Sequence, residues 1–220
     1  MRPWRIQQNE NPYHITTRTN GRQFRLCPRT YEIFIYVLLE AMKRFSVHIQ
    51  HFKLMENHYH LKMFTPLGNI SAAMQFINFQ LALLINRQDG VKGHLWEQRF
   101  HATIIESDAY EFACVRYIYQ NGVRAGLCRR ASDDPRLSSF AFYAKGKLIP
   151  FVVVADDFYL ALGSTPQERQ TAFVEIMNAP MSDAQSAVVR QGLRRSFFGS
   201  PDFMACMRQK YSHHFHSTRR

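Results

Sequence analysis

Acidic residues are scarce in this 220-residue chain: 17 Asp and Glu face 28 Lys and Arg, leaving a formal charge of +11. The pI is near 9.8. Residues 1–130 alone carry 17 of the Lys and Arg and 9 of the Asp and Glu, so the excess is not confined to a tail. A polyanionic partner is expected, nucleic acid before a membrane surface, because no amphipathic anchor is evident. Cysteine is also sparse. Cys27, Cys114, Cys128 and Cys206 are scattered with no C-x-x-C pair, which excludes a disulfide frame or a zinc knuckle and suits thiols in a reducing cytosol. No apolar run approaches the roughly 20 residues of a membrane span, and no signal-peptide h-region opens the chain. A cytoplasmic protein with no membrane partner is therefore expected. Repeats and low-complexity tracts are absent too. What remains, 46% hydrophobic and 14% aromatic residues, supports a real core in one large domain or one domain with an appendage.

The pattern along the chain predicts a β-α-β-β-α-β order. Residues 12–19 are β-branched and aromatic and run into the Asn20-Gly21 turn signal. Pro28 and Thr30 open a helix in which Phe34, Val37, Leu38, Met42 and Phe45 recur at helical steps. Residues 47–55 read as a strand whose apolar phase slips between Ile49 and Phe52, predicting a bulge. Residues 58–65 form the next strand, joined to it by a hairpin across Glu56-Asn57. Asn69 or Ser71 then caps a helix with a Met74, Ile77, Leu81, Leu84 stripe. After a glycine-bearing loop at 88–94, residues 100–105 give a fourth strand, and Ser107-Asp108 starts a helix to about Asn121. The fold class implied is α+β: a ferredoxin-like or RRM-like antiparallel sheet with helices on one face and the other free to hold a site. A further helix after Ser107 and a mostly helical C-terminal extension would be added to it. The boundary is placed at 147: residues 1–147 carry the site and 148–220 form the extension. Within the extension, 148–154 read as a strand, 165–177 and 202–211 as helices, and 213–216 as a frayed tail whose histidines are not ligands.

The chemistry concentrates in Glu56-Asn57-His58-Tyr59-His60-Leu61-Lys62-Met63. In a strand, His58, His60 and Lys62 share one face while Tyr59, Leu61 and Met63 turn to the core. Two imidazoles so placed reach a common metal ion, although the same spacing also suits two histidines merely exposed on a sheet. On the helix after Ser107, Phe112, Val115 and Tyr119 make the apolar stripe. Tyr117 points away from it, with Asn121 one turn further on.

Three stretches, ENHYHLKM, GHLWEQRFHATII and YIYQNGVRAGL, resemble the single-tyrosine HUH transposases, in particular the REP-associated tyrosine transposases, which are IS200-like. The resemblance covers roughly residues 11–143, including Ser138-Ser139-Phe140, and the segment from Gly199 to Phe203 resembles a C-terminal extension found in some members. It implies that His58 and His60 are metal ligands, that Asn121 supplies the third, and that Tyr117 is the nucleophile. Gly122 stands where the family usually has proline, a difference expected to loosen the helix end and hold Asn121 less firmly. Bacterial, nucleoid-associated placement is likewise implied.

Those residue types suit one reaction. Mg²⁺ or Mn²⁺ held by two imidazoles and an amide oxygen keeps positions open for a phosphate oxygen. A phenol titrating near 10 is a poor nucleophile at neutral pH, and a neighbouring cation favours its phenolate. The resemblance implies attack that leaves a 5′-phosphotyrosine and a free 3′-hydroxyl on single-stranded or hairpin DNA. No small-molecule substrate is expected. Either a homodimer with shared sites or a single copy is compatible with it. Trp96, Arg99, Arg116 and Arg124, with Lys62, are the candidate DNA contacts, by stacking and phosphate pairing. Two other readings use the same residues: a hairpin DNA or RNA binder that does not cleave, and a hydrolase whose histidines activate water.

Overall fold

The computed structural model describes residues 5–107, 109–147 and 153–216. Its first half follows the expected order: β1 (Tyr13–Arg18), α1 (Tyr31–Phe45), β2 (His48–Met55), β3 (His58–Phe64), α2 (Ile70–Asp89), β4 (His101–Ile105) and α3 (Ala109–Arg124). A 3₁₀ turn over Pro28–Thr30 leads into α1, where proline's fixed φ and missing N–H cost nothing. Asn69 stands at the N-cap of α2, but its amide donates to the Phe45 carbonyl, 2.9 Å away, so it ties the two helices together. The buried stripe of α2 is Ile70, Ala73, Met74, Ile77, Leu81 and Ile85; Leu84, expected there, is only half-buried.

The sheet runs β2-β3-β1-β4-β5, with β5 (Phe197–Phe198) supplied by the extension. The first four strands pair antiparallel, and β5 adds in parallel to β4 at Ile104–Phe197 and Ile105–Phe198. The pleat splits these strands into two chemically different faces. Tyr13, Ile15, Tyr59, Leu61, Met63, Phe52, Leu54 and Ile104 pack with Phe34, Val37, Leu38, Met74, Ile77 and Leu81 of α1 and α2 in one large core. The opposite face carries His14, Thr16 and Arg18 of β1, set in register against Lys62, His60 and His58 of β3.

The expected bulge in β2 builds this second face. Ile49 pairs with Met63 and His51 with Lys62, so Gln50 is the additional residue. An extra residue inverts the alternation. Ile49 therefore faces the core while His51 and Lys53 join the polar side. The Tyr143 hydroxyl takes the carbonyl of Gln50 at 2.6 Å, and the Val154 N–H takes that of Ile49 at 2.8 Å.

The polar face is covered. α3 crosses it, and behind α3 lie α4 (Phe140–Lys145), α5 (Asp157–Leu160), α6 (Pro166–Asn178) and α7 (Asp183–Gly192). Val115 and Tyr119 of α3 pack with Phe140, Tyr143, Tyr159, Phe173 and Met177 in a second cluster, and Cys114, Tyr117 and Ile118 pack with Ile105, Val189, Leu193 and Phe198 in a third. A capping box of Thr165 and Glu168 starts α6 with Pro166 just inside, and Ser200 caps α8 (Pro201–Lys210). Helices α4, α5 and α7 add to the elements that the sequence pattern predicts. Most of the strand expected at 148–154 lies outside the described residues; Val153 and Val154 are not in a strand. The predicted frayed tail is corrected over 212–216, where Ser212–His216 forms the short helix α9.

Candidate functional site

β3 brings His58 and His60 to the polar face as the alternation requires, with ring centroids 5.0 Å apart. His60 is buried. Its Nδ1 lies 2.9 Å from His14 Nε2, while its own Nε2 is buried without a hydrogen-bond partner. His58 Nδ1 lies 2.7 Å from the Asn57 side-chain oxygen. Since that oxygen only accepts, His58 carries its proton on Nδ1 and turns the Nε2 lone pair outward. If His60 likewise donates from Nδ1 to His14, both rings offer Nε2. An outer partner on the second nitrogen is the usual arrangement for metal-binding histidines.

Electrostatics keep these rings neutral. Burial, then Arg18 and Arg136, pushes His58 down to about 4. Burial, then His101 and His58, pushes His14 down to about 3. Burial, followed by the neighbouring His58 and His14, holds His60 well below the ordinary imidazole value. Neutral imidazoles with free lone pairs are the form that binds metal.

Tyr117 enters from α3. Its ring meets that of His60 edge to face, centroids 6.0 Å apart, and the Arg124 guanidinium lies over it, 4.7 Å from the centroid. The phenol is more enclosed than the helical wheel suggests, only 8% exposed, because α7 and β5 cover that flank of α3. Among the described residues nothing hydrogen-bonds its hydroxyl. Asn121 donates from Nδ2 to the carbonyls of Tyr117 (2.8 Å) and Ile118 (3.3 Å), which leaves its oxygen as an acceptor. Among the described residues no group of three or more His, Cys, Asp or Glu could hold a metal ion. A metal here would rest on two imidazoles and an amide oxygen, and the orphaned Nε2 of His60 fits that role.

Two buried lysines fasten α3 to the sheet. Lys62 binds Glu111 in the first turn of α3 and, at 2.5 Å, Asp156 of the extension. Lys53 donates to the Tyr119 carbonyl at 2.8 Å and pairs with Asp134 at 2.5 Å. Asp156 also takes His51 Nε2 at 2.8 Å and caps α5 by accepting from the Tyr159 N–H. From His51 Nδ1 the chain continues to the Tyr119 hydroxyl (2.8 Å) and on to Ser139 (2.7 Å). Ser139 in turn hooks the Ser138-Ser139-Phe140 segment onto Phe52 of β2.

This network corrects several expected DNA contacts. Lys62 is wholly buried between carboxylates and has no path to a phosphate. Trp96 belongs to the core side of the sheet: its ring stands edge-on to Tyr59, and its N–H donates to the Asn78 carbonyl at 2.8 Å. Arg116 is engaged with the carbonyls of Ala179 (2.8 Å) and Pro180 (3.1 Å) between α6 and α7. Arg99 and Arg124 remain exposed near the histidine face.

Gly122 is also reinterpreted. The helix continues past it to Arg124. A Cβ at 122 would lie 1.9 Å from Asp134 Oδ2 and 2.3 Å from Arg136 Nη2. The missing side chain makes room for the Asp134–Arg136 pair and does not loosen the helix. His14, Arg18, Asp134, Arg136 and Asp156 were missed in the sequence. Only register against β3 would have flagged the first two, and only long-range packing the others.

The antiparallel strands β2-β3-β1-β4 present His58 and His60 to Tyr117 on the crossing helix α3, within an α+β fold. The family described as Transposase IS200 like matches residues 7–121, just over half of the chain, and the protein belongs to it. Its fold is similar to that of a REP-associated tyrosine transposase solved bound to a REP hairpin (22% identity, TM-score 0.58, covering 71% of this chain and 92% of that one). A putative transposase from Deinococcus radiodurans R1 is more distantly similar (16% identity, TM-score 0.40, covering 55% and 97%). No curated protein matches the sequence. Among the described residues no helix is long and apolar enough to cross a membrane.

Proposed function

We propose that this IS200-like transposase is a metal-dependent single-strand DNA endonuclease and strand transferase that uses Tyr117 as its nucleophile. The observation that carries this reading is the convergence at His60: an imidazole with a buried, unpartnered Nε2, set against the Tyr117 ring. His58, His60 and Asn121 would hold Mg²⁺ or Mn²⁺, which supplies Lewis-acid polarisation of a phosphate oxygen. Arg124, with its guanidinium over the phenol ring, places a fixed positive charge beside the reacting oxygen and the phosphate it would meet. The phenolate oxygen then forms a bond to phosphorus as the bond to the 3′-oxygen breaks, and that oxygen takes up a proton. A 5′-phosphotyrosine and a free 3′-hydroxyl result. Bond order is conserved, so reversal rejoins strands without a nucleotide triphosphate. The Lys53 and Lys62 anchors keep α3, and so Tyr117, in place against the histidines.

Hairpin DNA is the proposed substrate, supported by the net charge of +11 and by the REP hairpin bound to the structurally similar transposase. The test is incubation of the full chain with single-stranded hairpin oligonucleotides and Mn²⁺, resolved on a denaturing gel. A covalent protein–DNA adduct is expected, absent in Tyr117→Phe and kept in Tyr119→Phe. An adduct that survives Tyr117→Phe refutes the nucleophile. A gel shift without nicking would instead make the protein a hairpin binder, and free 5′-phosphate ends without adduct would make it a hydrolase.

A further inference from the structure

A cleft of about 300 Å³ opens beside the histidine pair, and its lining includes Arg18, Glu97, Gln98, Arg99, His101 and Arg194. Thr16 also lines it and lies directly opposite His60 on one side and His101 on the other. Adjacent strands are about 4.8 Å apart, so the cleft starts one strand away from His60. Its three arginines come from three separate parts of the chain: β1, the loop before β4, and the turn between α7 and β5. All three are exposed. Arg18 is also the register partner of His58, and so connects cleft and histidines along one edge.

The extension's contribution is built in. Thr103 on β4 hydrogen-bonds through its hydroxyl to the carbonyls of Leu193 (3.0 Å) and Arg195 (2.8 Å). The Ile104 N–H takes the Ser196 carbonyl at 2.9 Å. Together with β5 pairing, these bonds hold the Leu193–Ser196 turn against the sheet and set Arg194 across from Arg18 and Arg99. Three guanidinium groups and one carboxylate leave a net two positive charges around a space at the lower end of small-ligand pockets, roughly 300–1,000 Å³. Arginine forks suit phosphate oxygens, while the Gln98 amide and Glu97 carboxylate suit a base edge.

We infer that this cleft is a nucleotide subsite that seats one unit of the single strand flanking the cleavage point, and that Arg194 makes the C-terminal extension part of the DNA-binding surface. The substrate class rests on the reading above, but the test does not need cleavage. Full-length Tyr117→Phe protein is titrated with a fluorescein-labelled, mixed-sequence single strand of about twelve nucleotides across a range of salt. Arg194→Glu is expected to weaken binding about tenfold and to lower the salt slope by ~0.7, the loss of one single-strand phosphate contact. Arg208→Glu, the same charge change on exposed α8, should cost far less. A 5-iodouracil-substituted strand should crosslink within residues 97–101 or 193–195. Equal losses in both charge-reversal variants, or crosslinks only elsewhere, would overturn the subsite. Either result is separable from failure of the nuclease reading, which is scored by adduct formation in the unsubstituted protein.

Discussion

Lys62, two residues beyond His60 on the same strand, is joined at 2.5 Å to Asp156, which comes from the C-terminal extension. The histidine-bearing strand β3 and the extension therefore share a buried ion pair. Lys62 is 0% exposed and Asp156 3% exposed, and Glu111 from α3 completes the group. Desolvating charges is costly, and such a pair contributes little beyond a well-packed apolar alternative, but removing one partner strands the other. Asp156→Asn is expected to destabilise the protein by about 3–5 kcal/mol, read as a lower midpoint in urea.

The same cluster sets the acid response. Asp156 is held far below the ordinary carboxylate range, by His51 first and by Lys62, against the upward push of burial. Burial and Lys62 hold His51 below its usual value although Asp156 opposes them. Tyr119 of α3 and Tyr143 of α4 are the other groups facing the ring. For both titrating groups the folded value is the lower one, so the unfolded chain binds more protons in acid and stability falls as pH falls. Losses begin as pH drops through about 6.5, where an unfolded histidine charges, and continue below about 4, where an unfolded aspartate protonates. Asp156→Asn should flatten the lower part of that profile in urea titrations from pH 8 to pH 3. An unchanged profile would mean that other groups govern acid unfolding.

Gly122 gives a sharper test, because the space it leaves is already filled. Alanine at this position gains about 0.5–1 kcal/mol of helix preference, yet its Cβ would collide with Asp134 and Arg136. Asp134 has little freedom to retreat, since it also holds the buried Lys53. Overpacking costs about 1–3 kcal/mol, so Gly122→Ala is expected to be destabilising on balance. The double variant Gly122→Ala/Asp134→Ala should fall short of the sum of the two single losses, since the nearest colliding atoms are gone and Arg136, no longer held by Asp134, can swing aside. Strict additivity would show that the collision relaxes elsewhere.

These relationships mark the limit of what the sequence makes legible. Local periodicity is enough for β1 through α3, because each strand or helix shows its core face within its own residues; the bulge at Gln50 follows from a phase slip between Ile49 and Phe52. His58 and His60 are visible for the same reason, and Tyr117 and Asn121 through helical spacing and family resemblance. Lys62, Trp96 and Arg116 are misjudged because their partners are remote: Asp156 is 94 residues from Lys62, and Ala179 is 63 residues from Arg116. A basic or aromatic side chain beside a candidate site motif carries no local sign of whether a remote acid or carbonyl will claim it. The two-residue β5 is too short for any alternation to show, so neither the fifth strand nor the turn it anchors could be read in advance.

His14 provides the last prediction. It is buried, stacks on His60 with centroids 5.1 Å apart, and meets His60 Nδ1 through its own Nε2. A histidine that binds metal through Nε2 needs its Nδ1 proton directed to an acceptor, and removal of such a partner typically costs about 10–100-fold in metal affinity. His14→Phe keeps an aromatic ring in the space but removes the Nε2 that meets His60 Nδ1. It should therefore weaken Mn²⁺ binding by about that factor, measured by the loss of the free-ion electron paramagnetic resonance signal, while His14→Gln, whose amide oxygen can accept, should recover part of it. His60→Ala should abolish binding at this site. If His14→Phe binds Mn²⁺ as tightly as the unsubstituted chain, the His14–His60 contact serves packing and not the metal.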